Sequence, residues 1–233
     1  MTLKLGKRLK KIESMVASEY THIWDCCCDH GLLGAALLSR QDASYIHFVD
    51  IVPELMRELE NKLQRFHPKE LLATGTQWQT HCLDVTALPL QQYEGKHLVI
   101  IGGVGGDLVT QFVKAIFQSH PTTNIDFLLC PVHHQFTLRQ QLIQLDFCLQ
   151  TEALVEENQR FYEILIVSAA TDMNKQRPKV STVGNLIWTT DTVEQAKNAV
   201  DYLAKTLNHY QRIQQGNNVD VKHIIEAYQS VTI

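Results

Sequence analysis

Three carboxylates and a run of glycines are spaced so that one ligand could meet them all. Asp25 closes the apolar run Ile23-Trp24, Asp50 closes residues 45–49, and Asp84 follows residues 77–83. Each run reads as a strand, and each acid stands at its carboxyl end, where open α/β sheets bind their ligands. A carboxylate only accepts hydrogen bonds, so at the tip of the second strand Asp50 matches the two hydroxyl donors of a ribose. Asp84 is a second place where a carboxylate can meet the amino group of an adenine. Beyond Asp25, the stretch Cys26-Cys27-Cys28-Asp29-His30 turns into a helix over about 31–39, which brings Asp29 and His30 to the same end. The most apolar strand, over 96–101, runs into Gly102-Gly103-Val104-Gly105-Gly106, where backbone can approach a ligand with no side chain between.

Other chemistries fit less well. Cys26, Cys27 and Cys28 are consecutive and cannot comfortably share one tetrahedral metal, and no C-x-x-C pair exists, so the six cysteines read as free thiols, not as a zinc site. His133 and His134 are adjacent, and on a strand adjacent side chains point to opposite faces, so one is expected to face the crevice. The glycine run has no Lys-Ser or Lys-Thr after it and follows the fourth strand, which argues against a phosphate-binding loop. Cysteines occupy the first turn where a dinucleotide fingerprint would need glycines, so a nicotinamide-dependent oxidoreductase is a remote alternative.

These residues need a sheet to hold them. The 233-residue chain has ordinary globular composition, 45% hydrophobic and 20% charged, and no apolar run approaches the roughly 18 residues of a membrane span. No signal peptide is legible, so the expected location is the cytoplasm. Strands over 45–50, 77–83, 96–101 and 125–130 alternate with helices over about 53–66, 107–118 and 136–145, and Pro53 sits where a first-turn proline belongs. Two last strands, 147–155 and 161–168, are joined by a polar turn and form an antiparallel hairpin. Residues 171–182 read as a linker. Beyond it, Val193, Ala196, Val200, Leu203, Leu207 and Tyr210 follow three-four spacing, and Val221, Ile224, Tyr228 and Val231 resume it after a break at 215–218, which predicts a coiled-coil-like helical hairpin. The expected domains are therefore 1–170 and an extension over 171–233.

Charge is unevenly placed. Residues 1–11 carry five basic side chains, Lys4, Lys7, Arg8, Lys10 and Lys11, and no acid, whereas residues 12–170 carry nine basic and nineteen acidic ones. Leu5, Leu9, Ile12 and Val16 recur at helical spacing, so the first helix is expected to pack one apolar stripe and to turn its basic face to water, where it can attract phosphates.

In this combination the chain resembles the bacterial tRNA adenine-N1 methyltransferases that modify adenine 22. That family opens with Leu-Ser-Lys-Arg-Leu, and Leu5-Gly6-Lys7-Arg8-Leu9 stands here. Its first-strand motif Asp-Ile-Gly-Ser-Asp-His-Ala-Tyr-Leu is matched at Asp25, Asp29, His30 and Leu33. Its Ala-Gly-Met-Gly-Gly resembles residues 102–106, its Gln-Pro-Asn resembles Cys130-Pro131-Val132, and its Tyr-Glu is Tyr162-Glu163. Cys27 replaces the family's glycine, Leu32 its tyrosine and Val132 its asparagine.

The resemblance implies an α/β fold with a Rossmann-like class I methyltransferase sheet, mostly parallel with an antiparallel C-terminal hairpin, plus a C-terminal helical hairpin. It implies S-adenosylmethionine as cofactor and tRNA as partner. Asp50 would hold the ribose and Asp84 the adenine edge, while Gly103 and Gly105 would leave backbone room. Asp25, Cys27, Asp29 and His30 would surround the methionine portion, with Asp29 the catalytic candidate near the reacting atoms. Lys7, Arg8, Lys10, Lys11, Pro131, Val132, His133 and Tyr162 would meet the RNA. A side chain at Cys27 and the loss of asparagine at Val132 make a substrate-shifted or catalytically silent RNA-binding relative the alternative.

Overall fold

The computed structural model describes residues 4–41, 43–68, 75–169, 176–216 and 219–233. One seven-stranded sheet runs β3-β2-β1-β4-β5-β7-β6, built from β1 (His22–Cys26), β2 (Tyr45–Asp50), β3 (Gln77–Cys82), β4 (His97–Gly102), β5 (Ile125–Cys130), β6 (Phe147–Glu157) and β7 (Arg160–Ala169). The first five are parallel, and β7 lies antiparallel to both β5 and β6, so β7 alone is reversed. The reversal follows from the tight β6–β7 turn, where Asn158 and Gln159 both take positive φ, the conformation that matches strand twist in a two-residue hairpin. The strand order changes direction between β1 and β4, which opens a crevice at their carboxyl ends.

Helices α2 (Leu32–Arg40), α3 (Pro53–Phe66), α4 (Gly106–Ser119) and α5 (Gln135–Gln144) connect the strands. The first helix, α1 (Lys7–Met15), buries Ile12 and, with Leu5 and Val16, packs into the core on one side of the sheet. Strands β1, β4 and β5 are buried along their length, as parallel strands covered on both faces must be.

An imidazole layer covers the other face over β2, β1 and β4. His22 Nε2 lies 3.1 Å from the Glu94 carbonyl, which can only accept, so His22 donates from Nε2 and accepts at Nδ1. His47 Nε2 therefore donates to His22 Nδ1 (3.0 Å), and His81 Nε2 to His47 Nδ1 (2.9 Å). His97 takes the same tautomer, accepting from Trp24 Nε1 at Nδ1 and donating to the Tyr93 carbonyl from Nε2. The His47 ring stacks on Trp24, centroids 3.8 Å apart. Burial and the neighbouring imidazoles push His47 down to about 2 and His97 down to about 4.

The tail consists of α6 (Val193–Gly216) and α7 (Lys222–Gln229), packed together and onto the end of the sheet carrying β6. Val221, Ile224 and Tyr228 are buried as their spacing predicts. On α6 the buried positions are Ala199 and Tyr202, whereas Val193 is 89% exposed and Val200 53%. The predicted seam thus fails over its first turns, because there α6 packs against β6 and the 3-10 turn Leu186–Trp188 rather than against α7 along its whole length. Residues 171–175 of the predicted linker and 217–218 of the predicted break lie outside the described residues. The described part of the linker adheres to the sheet edge, with the Leu149 N–H donating to the Pro178 carbonyl and Cys148 bridged to Lys179.

Arg139 on α5 is fully buried and joins these parts. Its Nε donates to Glu163 Oε2 on β7 (2.7 Å), its Nη2 to Glu152 Oε2 on β6 (2.6 Å) and its Nη1 to the Ser181 carbonyl. Glu152 Oε1 accepts the Asn185 and Leu186 N–H groups, and Glu163 Oε1 accepts Tyr202 Oη from α6. Arg139→Leu would strand two buried carboxylates, and the expected loss is about 3–5 kcal/mol in denaturant unfolding, accompanied by proteolytic cleavage in α6.

The imidazole layer yields a second expectation. Its folded-state pKa values lie below the unfolded value near 6.5, so the stability it contributes is full above about pH 6.5 and drains as pH falls. His47→Phe, which keeps an aromatic ring beside Trp24, should show a shallower fall in melting temperature from pH 7 to pH 5 than the parent.

Candidate functional site

A cleft of about 270 Å³ opens at the carboxyl ends of β1 and β4, lined by the loop 25–30, by Gly102, Gly103 and Val104, and by Arg8, Leu9 and Ile12 of α1. The loop leaving β1 is bent by three left-handed residues, Cys27 (φ 55°), Asp29 (φ 50°) and Gly31 (φ 67°). Non-glycine residues there cost about 1–2 kcal/mol each, so Cys27 keeps a glycine's conformation without being one. The Cys28 N–H donating to the Val49 carbonyl and the Gly31 N–H donating to the Cys28 carbonyl hold the bend.

Of the residues that the resemblance assigns to the cofactor, Asp25, Cys27, Asp29, His30 and Gly103 line this cleft, while Asp50, Asp84 and Gly105 stand outside its lining; Arg8, assigned to the RNA, lines it too. Asp25 is buried, and its Oδ2 accepts the Gly34 N–H at 2.8 Å. Burial pushes its carboxyl up to about 7; the Gly34 bond works against that rise, and nearby Asp50 adds to it. Asp50 accepts the Asp29 N–H and the Val52 N–H, one on each oxygen (both 3.1 Å), so it braces the loop and keeps lone pairs for a further donor. Asp84 accepts the N–H and hydroxyl of Thr86 on Oδ1, which caps the 3-10 turn Val85–Ala87. The Cys27 thiol is pushed up to about 11 by burial and then by the charges of Asp50, Asp25 and Asp84, so it stays neutral. Asp29 and His30 are exposed at the mouth, 3.7 Å apart.

The two glycines differ. Gly103 has φ 81°, and a Cβ built there would meet no protein atom, so the missing side chain leaves cleft space. At Gly105 a Cβ would come within 2.4 Å of the His133 ring, so that glycine makes room for an imidazole and not for a ligand.

Several expectations about RNA contacts change. Arg8 is not on the water-facing basic side: its guanidinium lies 4.9 Å from the Tyr162 ring centroid, and its Nε is buried without a hydrogen-bond partner. Leu5, Arg8 and Ile12 share three-four spacing, a signal in the sequence that places Arg8 on the apolar stripe. Lys7 is paired with Glu156 and Glu194, which leaves Lys10 and Lys11 as exposed cations of that helix. Tyr162 and Pro131 are buried, so Tyr162 supports Arg8 instead of reaching outward. Val132 donates its N–H to the Val104 carbonyl and turns its side chain away from this cleft. Both histidines leave the strand geometry, because His134 is left-handed (φ 59°): His133 lies on Gly105, and His134 Nδ1 is 2.6 Å from Asp107 Oδ2. Among the described residues no group of three potential metal ligands is found.

A family model described as a methyltransferase domain matches residues 5–165. The chain belongs to that family. The nicotinamide alternative is set aside by this match. No curated protein matches the chain in sequence. Among solved structures, this methyltransferase is similar to the B. subtilis M1A22 tRNA methyltransferase TrmK, at 18% identity over 98% of both chains with a TM-score of 0.70. M. capricolum TrmK with S-adenosyl-homocysteine is 14% identical over 97% of this chain and 93% of that one, TM-score 0.66. Streptococcus pneumoniae Sp1610 with S-adenosyl-L-methionine is 19% identical over 97% and 98%, TM-score 0.63. At such identities the likeness is one of fold, and it extends through the tail helices. No described helix of this methyltransferase is long and apolar enough to cross a membrane.

Asp25 carries a pH prediction. Its folded pKa is raised above its unfolded value, so the folded state is disfavoured progressively as pH rises from about 4 to 7. Asp25→Asn, which can still accept from Gly34, should gain melting temperature on the parent as pH is raised from 5 to 8; a gap that does not change with pH would refute the shift.

Proposed function

We propose that this methyltransferase transfers a methyl group from S-adenosylmethionine to N1 of an adenine in tRNA, at position 22. The observation that carries the reading is Arg8: a buried guanidinium nitrogen without an acceptor, in a cleft at the carboxyl ends of β1 and β4, suits the carboxylate of an amino-acid cofactor. The fit extends to Gly103, whose absent side chain leaves room, and to Asp50, whose remaining lone pairs suit ribose hydroxyls. Asp84 stands near Cys27 and suits the adenine edge. The TrmK likeness, which spans nearly the whole chain, supports tRNA as substrate and adenine 22 as target.

When bound, S-adenosylmethionine supplies a methyl group already activated on a sulfonium. A ring nitrogen with a free lone pair then needs no general base, and the protein's task is to position and desolvate. N1 of adenine is occupied in a base pair, so the target base must be unpaired or flipped toward the mouth. There the exposed carboxylate of Asp29 can offset the positive charge that the ring gains. Buried Asp25, by contrast, anchors the first turn of α2 through the Gly34 N–H. Lys10 and Lys11 are placed to meet phosphates, and Arg8 serves the cofactor instead.

Calorimetry tests the assignments. The parent should bind S-adenosylmethionine, Asp50→Ala should lose about 1.5–3 kcal/mol of that affinity, and Arg8→Met a comparable amount. Cys27→Gly should tighten binding by clearing a side chain from the cleft. A parent that does not bind the cofactor, with Cys27→Gly unable to restore binding, would support the silent relative and defeat this reading.

A further inference from the structure

A second cleft, of about 340 Å³, lies between the loop after β5, the start of β7 and the tail helices. No residue lines both clefts, and the bond from the Val132 N–H to the Val104 carbonyl, with the His133 ring lying on Gly105, forms the wall between them. Its apolar side is aromatic: Phe161 and Tyr202 have centroids 5.6 Å apart, and Tyr210 stacks on Tyr228 at 6.1 Å. Its rim is cationic. Lys205 donates from Nζ to the Gln159 carbonyl at 2.7 Å and lies 5.6 Å from the Phe161 ring centroid, with no carboxylate at ion-pair distance among the described residues, and Arg160 is the next residue along the hairpin.

None of the lining side chains is a carboxylate. Of the acids close by, Asp107 is bound to His134, Glu163 to Arg139 and Tyr202, and Glu157, opposite Arg160 on β6, accepts the Arg8 N–H; Asp201 stands one turn before Lys205 on α6 and is exposed. Aromatic faces beside cations that no carboxylate pairs, in a cleft whose lining has no acid, are what a single-stranded nucleotide requires: rings for its base and cations for its phosphate. The volume falls in the range of small-ligand pockets.

We propose that this cleft holds an unpaired nucleotide of the RNA other than the one methylated, its base against Phe161 and Tyr210 and its phosphate on Arg160 and Lys205. The assignment rests on the tRNA reading above and adds a site that would select RNAs by the nucleotide flanking the target. It would also give the tail hairpin a part in recognition, since Lys205 and Tyr210 belong to α6.

The full chain should be titrated with a tRNA transcript over a range of salt, with S-adenosylmethionine affinity measured in parallel. The double variant Arg160→Gln/Lys205→Gln should lower the slope of log affinity against log salt by about 1.4 to 1.8. Phe161→Ala should weaken binding at least about five-fold without changing the slope, and Phe161→Trp should retain it. Cofactor affinity should be unaltered in all. Unchanged tRNA affinity and slope in variants that still bind cofactor would overturn the nucleotide site while leaving the methyltransferase reading intact. A lower slope with no Phe161 effect would reduce the cleft to an anion site and overturn it as well. A parent that binds cofactor but no tRNA would overturn both this site and the RNA substrate. Should Phe161→Ala fail to fold, Tyr210→Leu takes its place, with the same loss expected at an unchanged slope and an unaltered tRNA affinity overturning the site.

Discussion

The buried Arg139 guanidinium is the constraint around which one half of the molecule is arranged. A cation in the interior is tolerated only when its donors are met, and here two carboxylates and a carbonyl meet them from β6, β7 and the segment before the tail. Each carboxylate in turn has a second oxygen to satisfy, and Tyr202 and the Asn185 and Leu186 N–H groups do so. The result is that α5, the β6–β7 hairpin and α6 share one hydrogen-bonded set. Such a set favours a single arrangement, because any displacement leaves buried charge unpaired. The position of the tail, and with it the wall of the second cleft, depends on this charge balance more than on apolar spacing.

In the middle of the sheet, at β1 and β4, different physics holds the first cleft. The loop after β1 carries three left-handed residues, and its strain is held by the Asp50 carboxylate receiving the Asp29 N–H and by strand-to-loop backbone bonds. Acids from two neighbouring strands converge on this loop, so Asp25 is driven toward its neutral form by burial and spends its oxygen on Gly34. Carboxylates that look equivalent in sequence thus divide their work: Asp25 anchors the start of α2, Asp50 braces the loop, and Asp29 remains exposed at the mouth.

The two clefts meet at residues 104–105 and 132–133. That contact explains why glycine is required at 105, since the His133 ring occupies the volume a side chain would take. A methyl donor on one side and an RNA nucleotide on the other would be held in fixed relation by backbone and imidazole, which is what a positioning enzyme needs.

Much of this was legible from residue order. Short apolar runs ending in Asp25 and Asp50, alternating with helical segments and closed by a hairpin turn, determined the sheet, its parallel direction and the location of the crevice, because strand polarity and short connections leave few topologies. Pro53 marked the start of α3 through local backbone preference alone, whereas the polar turn expected over 156–160 closes to Asn158 and Gln159, because pairing extends β6 to Glu157 and starts β7 at Arg160. Tertiary structure decided which way particular side chains face. Arg8 reads as one of five cations in the first eleven residues; its spacing with Leu5 and Ile12 puts it on the apolar stripe, and the packing of α1 decided that this stripe sets it against Tyr162. The seam on α6 follows three-four spacing at Val193 and Val200, yet Ala199 and Tyr202 are the buried positions, because the partner surface is β6 and the Glu163 carboxylate. Periodicity tells which residues share a face, and it carries no information about what that face will meet; burial of charge and the pairing of distant polar groups are settled only when the chain has closed.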